Sequence, residues 1–232
     1  MELHDIKNMV RKQPWIYHAL IFFSRTVYLH GMSQCQAVRA AFPAGTKGAV
    51  ILNVGSGSSP RMPDIQNIDI EKNEHVDIVA DAAHLPFENN SVDMILSECL
   101  LEHVADPQIV AREFQRVLKP GGHLYLMLPF VYPYHAAPND YTRFTVQGLQ
   151  ELFSNTTKIR SGVRSGPIAT LIIQFAYVVA MLLSFRSRTL YSLLLSILLI
   201  VLSPLKLLDY LSLLFPFRDE AASQIYFFAK KR

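Results

Sequence analysis

The stretch AVILNVGSGSSP at residues 49–60 decides how the chain is read. Its first half is an apolar run rich in β-branched side chains, the pattern of a strand buried on both faces of a parallel sheet. Gly55-Ser56-Gly57 ends the run abruptly. Glycines at a strand end let the backbone turn sharply and let a ligand lie against it with no Cβ in the way. The pattern is not the dinucleotide fingerprint, because Pro60 holds the third glycine position. Taken alone, a G-x-G is as much a tight turn as a binding loop.

Working outward, the same strand pattern returns in NIDI (67–70), HVDIVAD (75–81), SVDMILSE (91–98) and HLYLMLPF (123–130). Between the last two, DPQIVAREFQRVLKPGG reads as a helix with Asp106 as N-cap, Pro107 in its first turn and Gly121 as its stop signal. TVQGLQELFS (145–154) reads as a further helix, TKIRSGVR (157–164) as a sixth strand and SQIYFFAKK (223–231) as a seventh. Strands alternating with helices predict an α/β fold whose ligand sites lie at the carboxyl edge of a mostly parallel sheet. Three successive strands then end in a Gly-rich turn, Asp69 and Asp81. A carboxylate at a strand end accepts hydrogen bonds from both hydroxyls of a ribose. Beyond Asp81, Ala82 and Ala83 offer close backbone, and Leu85 and Phe87 offer apolar surface for a flat base.

This ordered set resembles the class I S-adenosylmethionine-dependent methyltransferases, and within them the type 11 group. The resemblance runs over about residues 49–130 through LNVGSGS, NIDI, ADAAHLPF, SVDMILSECLLEHVADP and LKPGGHLYLMLP. It implies a Rossmann-like sheet whose last strand is antiparallel. It also implies S-adenosylmethionine as cofactor, with Gly55 and Gly57 beside the methionine part, Asp69 on the ribose, and Asp81 and Ala82 at the adenine. Asn53 stands where that family usually has an acid; an amide still accepts a hydrogen bond from the methionine ammonium but without charge pairing. The segment GSGSSPRMPDIQ is also too short and too rich in proline for a full first helix.

The run FVYPYHAAPNDYTRFT (130–145) leaves the fifth strand at the carboxyl edge, beside the expected cofactor, and is placed to form the acceptor pocket. Its PYHAAPNDYTRFT portion resembles a loop of methyltransferases of cell-envelope glycan pathways. His135 is the candidate general base, since imidazole takes up a proton near neutral pH. Asp140 is the candidate to orient it or to bind an acceptor hydroxyl. Arg143 suits a phosphate or carboxylate, Tyr134 and Tyr141 suit a sugar or ring, and His103 in LLEHV is a further pocket candidate. The structural alternatives are a loop knitted together by His135 and Asp140, and an Arg143 paired with an acid such as Glu98.

The rest of the chain bounds the function. Its 232 residues carry 22 basic and 19 acidic side chains, with no basic stripe of the kind that binds nucleic acid. Cys35 and Cys99 lie far apart with no metal-ligand spacing, so neither a disulfide framework nor a metal is expected, and a reducing compartment fits. The apolar run from Trp15 to Phe23 reads as part of a helical segment and not as a signal peptide. Residues 166–185 carry no charge, and the apolar run after Arg186 and Arg188 has only Lys206 and Asp209 before Phe217. The expected organisation is an N-terminal helical segment (1–45), the cofactor-binding core (46–165), a hydrophobic helical hairpin inserted at 166–217, and a C-terminal strand (218–232) completing the sheet. At the helical rise, 166–185 reaches about 30 Å and 189–203, up to Pro204, about 22 Å. A shallow hairpin avoids placing Arg186 and Arg188 across a membrane, against the positive-inside tendency. The leading reading is a methyltransferase at the cytoplasmic face of a membrane, O-methylating a lipid-linked glycan or other lipid intermediate. The alternatives are a non-catalytic nucleoside-binding membrane adaptor, and a soluble methyltransferase whose insertion is a lid or dimer interface.

Overall fold

The computed structural model describes residues 31–136 and 138–232, so most of the expected N-terminal helical segment lies outside the described residues. The strands are β1 (Ile51–Val54), β2 (Ile65–Asp69), β3 (Ile78–Val79), β4 (Val92–Glu98), β5 (Leu118–Pro129), β6 (Thr156–Ser165) and β7 (Gln224–Lys231). They form one sheet in the order β3-β2-β1-β4-β5-β7-β6. β1 pairs in parallel with β2 and β4, β2 with β3, and β4 with β5, whereas β7 runs antiparallel to β5. The expected Rossmann-like sheet with a reversed last strand is therefore present. Its order reverses between β1 and β4, which opens a crevice at the carboxyl ends of the strands on either side.

β1 is buried at all four positions, as its unbroken apolar run requires. One face of the sheet gathers Ile51, Ile65, Met94, Leu96, Tyr125, Met127, Tyr226 and Phe228 with Ala37 of helix α1 (Gln34–Ala41). Ser33 and Gln36 close a capping box at the start of α1, and the Tyr125 hydroxyl donates to the Met32 carbonyl at 2.7 Å. Alternate residues turn to the opposite face. There Phe114 of helix α2 (Pro107–Val117) stacks on Phe153, which follows helix α3 (Val146–Leu152).

α2 starts as its sequence signals require: Asp106 accepts from the Gln108 N–H and Pro107 occupies the first turn. It ends earlier than the Gly121 stop signal implies, because Leu118 already belongs to β5. Val92 pairs with Leu118 but Met94 pairs with His123, so residues 119–122 loop out of the ladder as a bulge. The KPGG sequence shapes that bulge, and Lys119 anchors it on both oxygens of Asp93 at 2.8 Å.

Residues 32–130, 134–162 and 224–232 make up the compact unit that holds the sheet, and a second unit contains residues 131–133 and 163–223. The second unit is helical: α4 (Pro167–Leu183), α5 (Arg188–Leu202), a 3-10 turn (Ser203–Leu208) and α6 (Asp209–Ser212). The relative lengths of its two apolar runs differ from the sequence expectation. The α-helical part of the second run ends at Leu202, just before Pro204 as expected, but the path continues as a 3-10 turn that Pro204 enters at its start. The Ile200 carbonyl there accepts from the N–H and the hydroxyl of Ser203. The helical path from Arg188 to Ser212 is long and apolar enough to cross a membrane by length and composition, whereas α4 is shorter. α5 has no buried residue, and Leu171, Phe175, Leu182, Ile200, Val201 and Leu211 are among the exposed apolar side chains of this unit.

Asp209 organises the unit from within. Fully buried, its carboxylate accepts from the N–H groups of Gly166 (3.2 Å), Ile168 (2.7 Å) and Ala169 (3.1 Å), the donors at the start of α4 that lack intrahelical partners. A Cβ at position 166 would lie 2.6 Å from its Oδ1, so the cap requires glycine there.

Candidate active site

The carboxyl ends of β1, β2 and β3 bring the expected cofactor residues together. Gly55 and Gly57 both adopt positive φ, at 71° and 53°. The N–H groups of Gly55 and Ser56 donate to the Ile68 carbonyl, which folds the turn over the end of β2. Asp69 fixes its tip: Oδ2 accepts from the Gly57 N–H at 2.7 Å and Oδ1 from the Glu71 N–H at 2.9 Å. Each carboxylate oxygen has two lone pairs, so each keeps one for an incoming hydroxyl. A Cβ on Gly57 would meet no protein atom within 4 Å, whereas one on Gly55 would strike Leu100. Gly57 therefore faces open space and Gly55 faces protein. Asp81 accepts from the Ala83 N–H at 2.9 Å and begins the loop through the buried Ala82 and Leu85.

Asn53 is buried at the end of β1, with its amide built into a network. It donates to Asn67 at 3.0 Å and accepts from Gln34 at 3.4 Å, and Asn67 donates onward to the carbonyls of Ser59 and His75. An acid at position 53 would face the Asn67 oxygen with no proton to offer it. The network thus gives a physical reason for the amide at this position.

The loop after Asp81 has a support that sequence reading missed. Glu113 of α2 accepts from the Leu85 N–H at 2.6 Å and pairs with Arg116 through both carboxylate oxygens. Arg116 in turn donates to the carbonyls of Phe87 and Leu85 and to Asn89. The Arg116 guanidinium and the Leu85 N–H hold the Glu113 carboxyl below its usual range against its partial burial.

A second cluster lies beyond β4. Cys99 takes a positive φ of 53°, which turns the chain into the 3-10 segment Leu101–His103. Glu102 is thereby buried completely, and neither of its oxygens makes a hydrogen bond of good geometry. Burial pushes its carboxyl up, although its own N–H, His103 and the Cys99 thiol act the other way. The Nε2 atoms of His103 and His135 stand 3.8 and 4.0 Å from the same oxygen, Glu102 Oε1. The two rings meet edge to face at 5.1 Å. Burial also pulls the His135 imidazole down, opposed by the charge of Asp140. The sequence places Glu102 and His135 far apart. The one legible signal was a carboxylate set inside the apolar run CLLEHV.

The remaining expected acceptor-side residues separate by environment. Asp140 accepts from the main-chain N–H of His135 at 2.8 Å and pairs with Arg143 through both oxygens. Arg143 holds the Asp140 carboxyl well below the usual carboxylate range, so Asp140 positions the loop and stays ionised. Arg143 also donates to the Thr142 carbonyl, and its ion pair with Asp140 is the kind of structural pairing considered from sequence, where Glu98 was the example. The Tyr141 N–H donates to the Glu102 carbonyl at 2.7 Å, while the rings of Tyr134 and Tyr141 are exposed.

Comparison with known proteins finds methyltransferases. Residues 49–126 match the family described as "Methyltransferase domain". A ubiquinone/menaquinone biosynthesis C-methyltransferase from Cellvibrio japonicus is 46% identical over 55 residues, 24% of this chain and 22% of its own length. A malonyl-[acyl-carrier protein] O-methyltransferase from Alcanivorax borkumensis is 44% identical over 52 residues, 22% of this chain and 18% of its own. The chain thus spans less than a quarter of the length of either relative. Among solved structures, a Thermotoga maritima SAM-dependent methyltransferase, described as a possible histamine N-methyltransferase, gives a TM-score of 0.52 at 12% identity. The match covers 97% of this chain and 99% of that one. A Haemonchus contortus phosphoethanolamine N-methyltransferase, solved with phosphomonomethylethanolamine and S-adenosylhomocysteine, gives 0.51 at 18%, covering 87% and 53%. At these identities the structural likeness is one of fold.

A sheet in this order with a reversed last strand has the Rossmann-like fold of the Thermotoga maritima S-adenosylmethionine-dependent methyltransferase structure. Within that fold, the segment 49–126 matches the type 11 methyltransferase domain.

Proposed function

We propose that the chain binds S-adenosylmethionine at the ends of β1 to β3 and transfers its methyl group to a hydroxyl of a lipid-borne acceptor at a membrane surface. The observation that carries the cofactor reading is the Gly57–Asp69 arrangement: an open approach at Gly57, beside a carboxylate whose two oxygens each keep a lone pair for a ribose hydroxyl. When bound, S-adenosylmethionine supplies a methyl group already activated on a sulfonium. The chain then has to hold the acceptor in line and receive its proton. The cluster of Glu102, His103 and His135 provides the proton-accepting groups, and Asp140 with Arg143 fixes the segment that carries His135. The exposed Tyr134 and Tyr141 offer flat faces for a sugar or ring.

The exposed apolar surface of α4 and α5 supports a lipid acceptor and association with the cytoplasmic face of a membrane, as a hairpin in the bilayer surface or a span. A lipid-linked glycan is the acceptor the 130–145 segment favours. The quinone-pathway name of one relative adds a lipid-tailed ring as the second acceptor to assay. The test is transfer of labelled methyl from S-adenosylmethionine to a membrane lipid extract by the full chain, with the product located by mass spectrometry. Label in a glycolipid fraction upholds the reading, and label in a prenylated-ring fraction moves it to the second acceptor. Cofactor binding without label in any lipid favours the adaptor alternative. A full-length protein that stays in the supernatant after ultracentrifugation without detergent overturns the membrane part.

A further inference from the structure

Glu102, His103 and His135 bring three metal-ligating side chains together around a carboxylate that makes no well-formed hydrogen bond. His103 Nδ1 lies 2.5 Å from the Asn139 carbonyl oxygen. A carbonyl only accepts, so Nδ1 carries the proton and, in the neutral ring, Nε2 carries a lone pair. That lone pair faces Glu102 Oε1 at 3.8 Å, and His135 Nε2 faces the same oxygen at 4.0 Å. Both separations are too long for hydrogen bonds. One ligand atom from each of the three residues lies within 4.8 Å of the others. A fully buried carboxylate with no well-formed hydrogen bond, facing the His103 lone pair, is a costly arrangement unless something positive lies between them.

We propose that Glu102, His103 and His135 together bind one divalent first-row transition cation of the Zn²⁺ or Co²⁺ type. Bonds of about 2.0–2.2 Å in a tetrahedral set place ligand atoms about 3.4 Å apart. Closing the cluster around a cation thus shortens the two Glu–His separations of 3.8 and 4.0 Å by about half an ångström, and the His–His separation, within 4.8 Å, by at most about 1.4 Å. Two imidazoles and one carboxylate suit such ions and disfavour Mg²⁺ and Ca²⁺, which prefer oxygen. The supporting contacts of a metal site are also present. The Asn139 carbonyl fixes the tautomer and ring orientation of His103, and Asp140 fixes the main chain of His135. Three protein ligands leave a coordination position open, the pattern of a catalytic and not a structural site. The site itself stands on geometry. Only its role rests on the methyl-transfer reading: with the cation bound the three side chains act as ligands in place of proton acceptors, and a hydroxyl in the open position would lose its proton to solvent more readily.

The experiment uses the tag-free full chain in detergent, stripped with chelator and titrated with Co²⁺ while the visible d–d absorption is followed. Metal content after dialysis against Zn²⁺ is measured in parallel. One saturable equivalent is expected in the parent and in a His75→Ala control. Glu102→Gln and His135→Ala should each weaken binding at least about 100-fold while keeping a cooperative thermal transition. S-adenosylhomocysteine is titrated into the same samples, so a failure of the cofactor reading registers separately. Absence of a bound equivalent in the parent overturns the cation site, as does equal binding by parent, Glu102→Gln and His135→Ala.

Discussion

Gly55 and Gly57 lie two residues apart in the same turn, both with positive φ, yet replacing them should do different things. An alanine in the left-handed region costs about 1–2 kcal/mol at either position. At Gly57 little else changes inside the protein, because the new methyl meets no atom within 4 Å. Gly57→Ala should therefore lower Tm by about 2–8 °C, at about 2–4 °C per kcal/mol for a chain of this size. At Gly55 the methyl would lie 2.9 Å from Leu100 Cδ1 and 3.0 Å from its Cβ. The δ carbon can rotate away but the β carbon cannot, which adds an overpacking cost of about 1–3 kcal/mol. Gly55→Ala should therefore be the more destabilised variant, by about 2–5 kcal/mol in total. Cofactor affinity should rank the other way per unit of stability lost. The methyl on Gly57 projects into the space assigned to the ligand, and a steric conflict of about 1–3 kcal/mol raises Kd about 5- to 150-fold. Thermal melting and calorimetric titration with S-adenosylhomocysteine measure both quantities on the same samples. If Gly57→Ala binds within twofold of the parent, the ligand does not approach that face and the site assignment is wrong.

Three further outcomes are expected. Asp69→Asn keeps one acceptor oxygen but loses the charge, and bonds to charged groups contribute about 1.5–3 kcal/mol, so S-adenosylhomocysteine should bind about tenfold more weakly or worse by calorimetry. Glu113 has a depressed folded-state pKa, so its stabilising contribution is present above the ordinary glutamate value of about 4.3 and is lost as pH falls below it. Glu113→Gln should accordingly flatten the fall in Tm with acidification, and an unchanged slope would show that the Arg116 pair does not support the Leu85 loop. Asp209→Ala strips the start of α4 of the acceptor for three N–H groups, so limited proteolysis in detergent should cut near residues 163–170 faster than in the parent. Asp209→Asn should fall between the two.

The core fold and the cofactor edge were legible in the sequence because local patterns determine them. An apolar run ended by glycines can only be a buried strand followed by a sharp turn, and Asp69 and Asp81 follow from where their strands stop. Even there, local signals misplaced the end of α2: pairing of Leu118 with Val92 in the sheet prevailed over the glycine stop, and KPGG became a bulge. The apolar insertion was equally plain from composition. Which of its runs would be long enough to cross a membrane depended on how Ser203 satisfies the carbonyl that Pro204 leaves behind, and composition does not contain that. Long-range partnerships belonged to the tertiary structure alone. Asp209 caps a helix that starts some forty residues earlier, Asn53 owes its amide to Asn67, and Asp140 takes Arg143 and the His135 main chain together. The grouping of Glu102 and His103 with His135 is the clearest case. No spacing along the chain relates them. Only β4 and β5, ending side by side in a parallel pair, bring the segments that follow them close enough for one ligand atom of each residue to lie within 4.8 Å of the others.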